Sequence, residues 1–158
     1  MDLQVRKKAL RMIPYGIYVL TAKSNEEVAG STITWLSQAS MMPPLVMVGL
    51  ENQSHSYKAV EKSGSFVVNF LGKDQKEIAK KFFKHPHVDG NAINGLSFRT
   101  GSTGAPILLD TPAFIECKVR DIIRHGDHHV VIAEVLDAGI NHDSEPLTLR
   151  ETGWSYGG

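Results

Sequence analysis

Six short stretches rich in β-branched and aromatic residues constrain the fold of this chain more than any other feature. They are Ile17–Ala22, Val28–Leu36, Leu45–Leu50, Phe66–Leu71, Ala113–Ile123 and Val130–Ile140. Runs of this length and composition, bounded by turn-forming residues, are typical of β-strands. Because closing a sheet removes its exposed edges, many short strands with few helices favour a closed or nearly closed antiparallel barrel.

Two helices are predicted near the first strands. Val5–Ile13 carries apolar residues on one side and ends before Pro14, so we expect it to pack one face onto a sheet. Ser54–Lys62 is long enough for a second helix, with Ser54 as its N-cap and Gly64 beyond its end. Both helices are short, so the fold is predicted to be mainly β.

The rest of the chain contains one further helix and two irregular segments. Asp74 followed by Glu77 resembles a capping box and predicts a third helix. His85–Pro106 is rich in Gly, Asn, Ser and Thr, which indicates a long excursion over the surface. The last segment, Arg150–Gly158, contains Trp and Tyr, large side chains that gain by burial, so we expect it to dock.

Composition limits the classes of function. The 158 residues fit one domain, 1–158, and 42% hydrophobic with 22% charged residues is ordinary for a globular protein. Lys+Arg and Asp+Glu both number 17, so no basic surface indicates nucleic-acid binding. No apolar run is long enough to span a bilayer and no signal-peptide core is visible, which predicts a cytoplasmic protein. The one cysteine, Cys117, lies in an apolar run and is expected in the core.

The stretch Gly30–Gly49 carries the first functional signal. Pro43 and Pro44 interrupt the β pattern, so the hydroxyl groups of Thr32 and Thr34 and the indole of Trp35 are expected at a strand end. Such a mixture suits a flat aromatic ligand with polar edges, for example a flavin. The alternative is an edge strand with a polar outer face and one buried Trp, and these residues alone leave both open.

A second signal lies where the Ser54 helix begins. Free backbone N–H groups and the positive end of the helix dipole converge at a helix N-terminus, which favours a phosphate. Asn52, Ser54, His55 and Ser56 surround this point, and Lys58 adds a positive charge one turn later. A plain N-cap without a ligand is the alternative.

Asn69 interrupts an apolar strand and requires a partner, either backbone or ligand.

The histidines do not favour a metal site. His128 follows the turn Arg124–Asp127 and stands at a strand start, where it could contact a substrate. Neighbouring residues on a strand point to opposite faces, so His128 and His129 are poorly placed to share one ion. Gly101–Pro106 lacks the Gly-Lys-Ser/Thr ending of a phosphate loop, and the chain has no Gly-x-Gly-x-x-Gly fingerprint of a Rossmann domain.

These pieces, in this order, resemble the flavin reductase-like family of FMN-binding split barrels. The motifs that carry the resemblance are Gly30–Ser40 with Pro43–Val46, Asn52–Ser56, Phe66–Leu71, Gly104–Leu108 with Phe114–Val119, and Gly126–His128 with Ile132–Val135. Each motif is weak alone, and the set is specific. The resemblance covers the chain from the first helix to about Ala138.

The resemblance implies a homodimer of six-stranded Greek-key split barrels, with flavin near the subunit interface. We expect the aromatic tail Trp154–Gly158 to cover the flavin pocket or the neighbouring subunit. The resemblance places one group of residues around the isoalloxazine and ribityl chain: Thr32, Ile33, Thr34, Trp35, Gln38, Ala39 and Ser40. It places Ser54, His55 and Ser56 at the phosphate, and the position of Asn52 and Lys58 at the helix start adds them to this group. His128 matches the histidine beside the face where reduced nicotinamide stacks.

The leading hypothesis is therefore an NAD(P)H-dependent flavin oxidoreductase that uses FMN. The sequence leaves FMN against FAD, and NADH against NADPH, undecided. Trp35 followed by Ser37–Ser40 looks more like the flavin reductase-like domains attached to flavodiiron proteins, so the runner-up is a non-catalytic FMN-binding electron carrier that serves a redox protein partner. A purely structural small barrel is the third hypothesis.

Overall fold

The strands of the computed structural model, which describes residues 1–158, form two antiparallel sheets. The main sheet has seven strands in the order β2-β1-β5-β10-β11-β4-β3, and the small one has four in the order β6-β7-β8-β9. The main strands are β1 Tyr18–Ser24, β2 Glu27–Ile33, β3 Leu36–Ser40, β4 Leu45–Glu51, β5 Ser65–Phe70, β10 Ala113–Ile123 and β11 His128–Ile140. The small strands are β6 Val88–Asp89, β7 Ala92–Ile93, β8 Leu96–Thr100 and β9 Pro106–Leu108.

The four helices are α1 Leu3–Leu10, α2 His55–Ser63, α3 Lys76–Lys81 and α4 Leu149–Thr152. Helix α2 begins and ends as its sequence predicts. The Ser54 hydroxyl accepts a hydrogen bond from Tyr57 N, and Gly64 adopts the left-handed conformation, with φ of 74°, that ends the helix. None of the helices has the length and apolar character needed to cross a bilayer.

The main sheet curls so that its two edges meet. Strand β2 lies at one edge and β3 at the other, yet β2 ends at Ile33 and β3 begins at Leu36. Two residues, Thr34 and Trp35, therefore bridge the opposite edges, and the result is a nearly closed barrel. The count of six strands is not confirmed, because the expected single strand Val28–Leu36 is divided at this bridge.

The apolar core fills the barrel. Leu20, Phe66, Val68 and Val131 are fully buried within it, and α2 covers it with Tyr57. Cys117 is fully buried in the same cluster, as predicted. Burial, with a smaller contribution from the neighbouring Glu116 carboxylate, raises the pKa of the Cys117 thiol to about 12, so it stays protonated and unreactive.

Two polar side chains inside the sheet are paired within the chain. Asn69 donates from Nδ2 to Val19 O at 3.2 Å and accepts from Leu108 N at 2.9 Å, so its partners are backbone groups. Glu116 is 1% exposed, and its two carboxylate oxygens accept from the backbone N–H and hydroxyl groups of Ser102 and Thr103. The loop that superficially resembles a phosphate loop therefore holds a carboxylate of its own chain.

Two helix predictions are wrong in detail. Helix α1 buries none of its residues and does not pack on the sheet; residue Arg11 after it donates instead to Gly157 O at 3.0 Å. Helix α3 begins at Lys76, with Gln75 as N-cap and no capping box from Asp74. The Gln75 side chain accepts from Gly72 N and donates to Asp110 O, so one local and one long-range hydrogen bond fix the entry to the helix.

The excursion His85–Pro106 is also more regular than its composition predicts. It contains β6, β7 and β8, joined by turns in which Gly90, Asn94 and Gly95 have positive φ. Strands of two residues fall below the length at which a hydrophobic pattern becomes visible in a sequence. The small sheet buries Ile93 fully and packs it against the second apolar cluster of the protein.

Candidate functional site

A cleft of about 390 Å³ opens where Thr34 and Trp35 bridge the two sheet edges. The strand side of the cleft is formed by Ser31, Thr32, Ile33, Thr34, Trp35, Gly49, Leu50 and Glu51. The opposite side is formed by Phe82, Phe83, Leu149 and the segment Trp154–Tyr156, while Ile17, Ser54 and His128 complete the lining. Its size and largely apolar lining with few polar groups are typical of cofactor sites.

Two polar atoms of the bridge have no partner within the chain. Thr34 Oγ1 and Trp35 Nε1 are both buried, and neither makes a hydrogen bond. Thr32, two residues earlier, differs, because its hydroxyl donates to Ala79 O at 2.6 Å. Since buried polar groups are almost always paired, the two unpaired atoms indicate a ligand that completes them.

Trp35 forms the floor of an aromatic cluster. Its ring centroid lies 4.5 Å from that of His128 and 5.2 Å from that of Tyr156. The ring is held between two glycines: a Cβ atom at Gly49 would lie 3.1 Å from Trp35 Cε3, and one at Gly157 would lie 2.6 Å from Cζ2. The approach at Gly157, where φ is also +75°, leaves no room for a side chain, and the approach at Gly49 leaves little.

His128 reaches the cleft because β11 begins there, with its register placing His128 opposite Glu51 on β4. Its Nδ1 lies 2.9 Å from Asp127 Oδ1, and its Nε2 lies 2.6 Å from the Tyr156 hydroxyl. In the neutral imidazole, Nδ1–H donates to the Asp127 carboxylate, so Nε2 is the acceptor and the Tyr156 hydroxyl is its donor.

The charges around His128 favour this assignment. The hydrogen bond from His128 is the largest cause that lowers the pKa of the Asp127 carboxyl, which keeps it ionised as an acceptor. Burial, followed by the charges of Glu51 and Asp127, raises the pKa of the Tyr156 hydroxyl, which keeps it protonated as a donor. The imidazole is thus oriented from both sides by groups in fixed protonation states.

His129 points to the other face of β11 and belongs to a separate network. Its Nδ1 lies 2.7 Å from the Tyr57 hydroxyl, which donates to Glu61 Oε2 at 2.8 Å. Arg124 Nη2 donates to the same Glu61 oxygen at 2.9 Å. Nowhere in the structure do three His, Cys, Asp or Glu side chains gather into a group suited to a metal ion.

The start of α2 lies at one end of the cleft. The Ser54 hydroxyl donates to Glu51 O and accepts from Tyr57 N, so it serves the helix cap. Ser56 is 2% exposed and accepts from the hydroxyl of Ser31, which lines the cleft. The backbone N–H groups of His55 and Ser56 have no acceptor within the chain, as expected for the first residues of a helix.

Several residues predicted to contact the cofactor lie outside the cleft. Gln38, Ala39 and Ser40 are on the edge strand β3, and Gln38 lines a different hollow of about 320 Å³ with Tyr18 and Phe70. Lys58 is exposed on α2. His55 is exposed and lies beside His85, with ring centroids 4.9 Å apart. Asn52 donates to Gly126 O and contacts His129 in the separate network.

Two parts of the cleft lining come from outside the predicted site residues. Phe82 and Phe83 reach it from the end of α3, and Tyr156 reaches it from the last segment of the chain. The structure places that segment over the cleft, one of the two positions expected for it, whereas nothing in the sequence predicts that Phe82 and Phe83 line the cleft. The contact of Tyr156 with His128 is not marked by any local pattern, because 28 positions separate the two residues.

The unpaired atoms fit a flavin. The Trp35 indole offers an N–H donor, and the Thr34 hydroxyl is both donor and acceptor. An isoalloxazine has an apolar face and an edge of carbonyl oxygens and ring nitrogens, which these two groups can complete. The cleft therefore has the polar groups and the aromatic surface that such a ring requires.

Comparison with known proteins agrees with this geometry. The family described as "Flavin reductase like domain" matches residues 10–155. An NADH:FMN oxidoreductase of Rhodococcus erythropolis is 32% identical over 92% of this chain and 77% of its own length. A putative diflavin flavoprotein of Nostoc is 27% identical over 91% of this chain, which spans only 25% of that protein. The flavin reductase of the styrene monooxygenase from Pseudomonas putida S12 superposes with a TM-score of 0.74 at 31% identity, over 89% of this chain and 88% of its own.

Proposed function

The chain belongs to the flavin reductase-like domain family, and from that premise we propose that it transfers a hydride from NADH or NADPH to FMN bound in the Trp35 cleft. The observation that carries the proposal is the pair of buried, unpaired atoms Thr34 Oγ1 and Trp35 Nε1. FMN supplies the redox chemistry when bound. The protein's own part is to bind and orient the two nucleotides and to keep water away from the reacting rings.

We assign the ring system to the bridge and the phosphate to the start of α2. Ile33, Thr34 and Trp35 would hold the isoalloxazine, with the Trp35 indole supplying both an apolar surface and a donor. The free N–H groups of His55 and Ser56 support the phosphate assignment. FMN carries one phosphate, which the start of this helix can bind.

The phosphate assignment is tested with the double variant Ser54→Ala, Ser56→Ala. If both hydroxyls bond the phosphate, FMN binding should weaken by about 2 to 4 kcal/mol, less where the backbone donors compensate. Because Ser54 also caps α2, the variant should lose about 1 kcal/mol of stability. Fluorescence titration of flavin-free protein measures the first effect, and unchanged FMN affinity would remove both hydroxyls from the site.

His128 is proposed to dock the nicotinamide. The imidazole is oriented by Asp127 and faces the aromatic floor of the cleft at Trp35. His128→Ala should therefore leave flavin content nearly intact and slow flavin reduction, mainly through weaker nicotinamide binding. Stopped-flow reduction by NADH and NADPH measures this, and wild-type rates and saturation in the variant would leave His128 with a structural role only.

The hydride-transfer proposal is tested by anaerobic titration. Purified protein loaded with FMN should be yellow, and NADH or NADPH should bleach its visible absorbance with one equivalent of nucleotide per flavin. Free FMN at the same concentration is the control for reduction in solution. A protein that binds FMN but is not bleached by either nucleotide would overturn the proposal in favour of the electron-carrier alternative.

That alternative is an FMN-binding domain that exchanges electrons with a redox protein partner. It is favoured by one observation, the 27% identity to a putative diflavin flavoprotein of which this chain spans 25%. The two functions differ in the electron donor. An electron carrier would be reduced by a reduced redox protein and not by a nicotinamide nucleotide. The anaerobic titration therefore separates the two functions.

We also propose that the chain, folded as one domain over 1–158, works as a homodimer in the cytoplasm. Helix α1 exposes Leu3 and Val5, and the turn after β3 exposes Met41 and Met42 at 88% and 92%. A second copy that covers these side chains would also place Gln38–Ser40 near a flavin. Light scattering of the FMN-loaded protein should report a dimer at micromolar concentration, and a monomer would contradict the shared interface.

The proposed cytoplasmic location is compatible with Cys117, which is free and buried and forms no disulfide, as in a reducing compartment.

A further inference from the structure

The segment Ser155–Gly158, here called the latch, lies across the face of the cleft where His128 stands. Tyr156 places its hydroxyl 2.6 Å from His128 Nε2 and its ring 5.2 Å from that of Trp35. Tyr156 is 44% exposed, so it covers the cleft from the solvent side and is not part of the core. The latch is therefore the outermost layer over the proposed redox site.

The contact occupies the one acceptor that His128 has. Nδ1 donates to the Asp127 carboxylate, so Nε2 alone carries a free lone pair in the neutral ring, and the Tyr156 hydroxyl takes it. A reduced nicotinamide carries a carboxamide NH₂ group, which is also a hydrogen-bond donor. A nicotinamide that docks on His128 Nε2 must therefore displace the Tyr156 hydroxyl, because both need the same lone pair.

The latch is attached in a way that permits this displacement. No backbone–backbone hydrogen bond ties Ser155–Gly158 to the rest of the chain. Arg11 Nε donates to Gly157 O at 3.0 Å, and apart from the Tyr156–His128 hydrogen bond the remaining contacts are packing. The residue before the latch is anchored, since Trp154 packs edge-on against Phe83 with centroids 5.0 Å apart and lies under Lys76 Nζ at 4.9 Å. Segments held by few hydrogen bonds open at low cost, so the latch can open while Trp154 stays in place.

We propose that Tyr156 competes with the nicotinamide for His128 Nε2, so that the latch must open before the hydride donor docks. The inference rests on the proposed function, since it names what excludes and admits the nucleotide of that same site. Competition of this kind lowers the apparent affinity by the fraction of molecules that are open. A latch closed in about nine molecules of ten raises the apparent dissociation constant about tenfold.

Two variants open the latch by different routes. Tyr156→Phe keeps the ring and removes the donor. Gly157→Ala keeps Tyr156 and His128 but places a Cβ atom 2.6 Å from Trp35 Cζ2, at a backbone φ of +75° that side chains avoid. Tyr15→Phe is the matched control, because Tyr15 also packs near Trp35, at 6.4 Å, and its hydroxyl makes no hydrogen bond.

The first measurement is the KM for NADH and NADPH at saturating FMN, with FMN affinity determined in parallel. Both latch variants should lower the KM at least about threefold, as expected when a competing state is removed. FMN affinity should stay within about twofold in Tyr156→Phe, which leaves Trp35 in place, and Tyr15→Phe should match the wild type. An unchanged KM in both latch variants would overturn the proposal, and so would a raised KM in Tyr156→Phe, because that result makes Tyr156 a nucleotide contact.

The second measurement uses flavin-free protein and does not depend on activity. Nitrogen NMR measures the chemical shifts of the histidine ring nitrogens. In Tyr156→Phe, the chemical shift of His128 Nε2 should move toward the value of a ring nitrogen that accepts no hydrogen bond, and in Tyr15→Phe it should not move. An unchanged His128 signal would overturn the latch contact itself. If the wild type reduces flavin with neither nucleotide while this shift is seen, the proposed function fails and the contact stands. If the wild type reduces flavin and the signal is unchanged, the latch alone fails.

Discussion

Asn69 and Thr34 both place a buried polar atom beside the apolar core, but only Asn69 finds its partners within the chain. Asn69 bonds the backbone of β1 and of β9, and Glu116 likewise has its oxygens filled by the loop at Ser102 and Thr103. Thr34 Oγ1 and Trp35 Nε1 have no partner. Since leaving such groups unpaired is costly, the difference separates polar residues that serve the fold from those that serve a ligand.

The neighbouring histidines repeat this contrast. His129 faces the network of Tyr57 and Glu61, which ties the β10–β11 turn to α2. His128 faces the cleft and contacts Asp127 and Tyr156, which are exposed. Alternation along one strand thus gives the first residue a role at the site and the next a role in the fold.

The largest effect is expected at Asn69. Asn69→Ala removes the partner of Val19 O and Leu108 N, both of which would be left buried and unpaired, and we expect a loss of about 3 kcal/mol of unfolding free energy. Asn91→Ala on the exposed β6–β7 turn is the control and should change stability by less than about 0.5 kcal/mol. Urea denaturation measures both. A loss below about 1 kcal/mol for Asn69→Ala would mean that the Asn69 hydrogen bonds do not stabilise the fold.

A smaller effect is expected at Glu116. Glu116→Gln keeps the volume but turns an NH₂ group toward donors of the Ser102–Thr103 loop, which should cost about 2 kcal/mol. Glu134→Gln is the matched control on the same sheet, because Glu134 pairs with Arg120 near the surface and should cost at most about 1 kcal/mol. Equal losses in the two variants would contradict the structural role given to the buried carboxylate. FMN affinity should be unchanged in both variants.

The smallest effect is a pH dependence at Glu61. The hydrogen bond from Arg124, followed by that from Tyr57, lowers the pKa of the Glu61 carboxyl below its ordinary value of 4.5. A depressed pKa stabilises the folded state above the unfolded value, and this contribution is lost as the pH falls through the folded value. Glu61→Gln should therefore be less stable than the wild type at neutral pH, and the difference should shrink as the pH falls below 4.5.

Urea midpoints between about pH 3 and pH 7 measure this difference. Glu77→Gln, in an exposed pair with Lys80, is the control and should change stability by less than about 0.5 kcal/mol. A difference for Glu61→Gln that stays constant across the range would show that the carboxylate of Glu61 does not carry the stabilisation.

Local signals in the sequence predict the structure correctly where residues close together in the chain determine it. The Ser54 cap and the left-handed Gly64 mark α2 correctly. Pro43–Pro44 do separate two strands, β3 and β4, but the strand end at Thr34 and Trp35 lies before β3 and away from that break. The split barrel itself was identified from motifs that agree in order. These features depend on contacts within a few residues or on a pattern shared by a family.

The remaining features depend on long-range contacts. The partner of the α1 region is Gly157, at the far end of the chain, and the entry to α3 is fixed in part by Asp110. Whether Asn69 bonds backbone or ligand is decided by β1 and by β9, a strand that the sequence did not predict. No sequence pattern near Tyr156 predicts its hydrogen bond with His128. Such contacts between distant residues are determined by tertiary packing, and the spacing of hydrophobic residues along the sequence does not predict them.

The most direct test of the contrast between paired and unpaired polar groups compares two threonines on the same stretch. Thr34→Val removes the unpaired hydroxyl and should weaken FMN binding about tenfold, with little change in stability. Thr32→Val removes the hydroxyl that bonds Ala79 O and should lower stability by about 1 kcal/mol while FMN affinity stays within about twofold. FMN titration and urea denaturation of both variants give the answer. Wild-type FMN affinity in Thr34→Val, or an equal loss of FMN affinity in Thr32→Val, would contradict the assignment of the cleft.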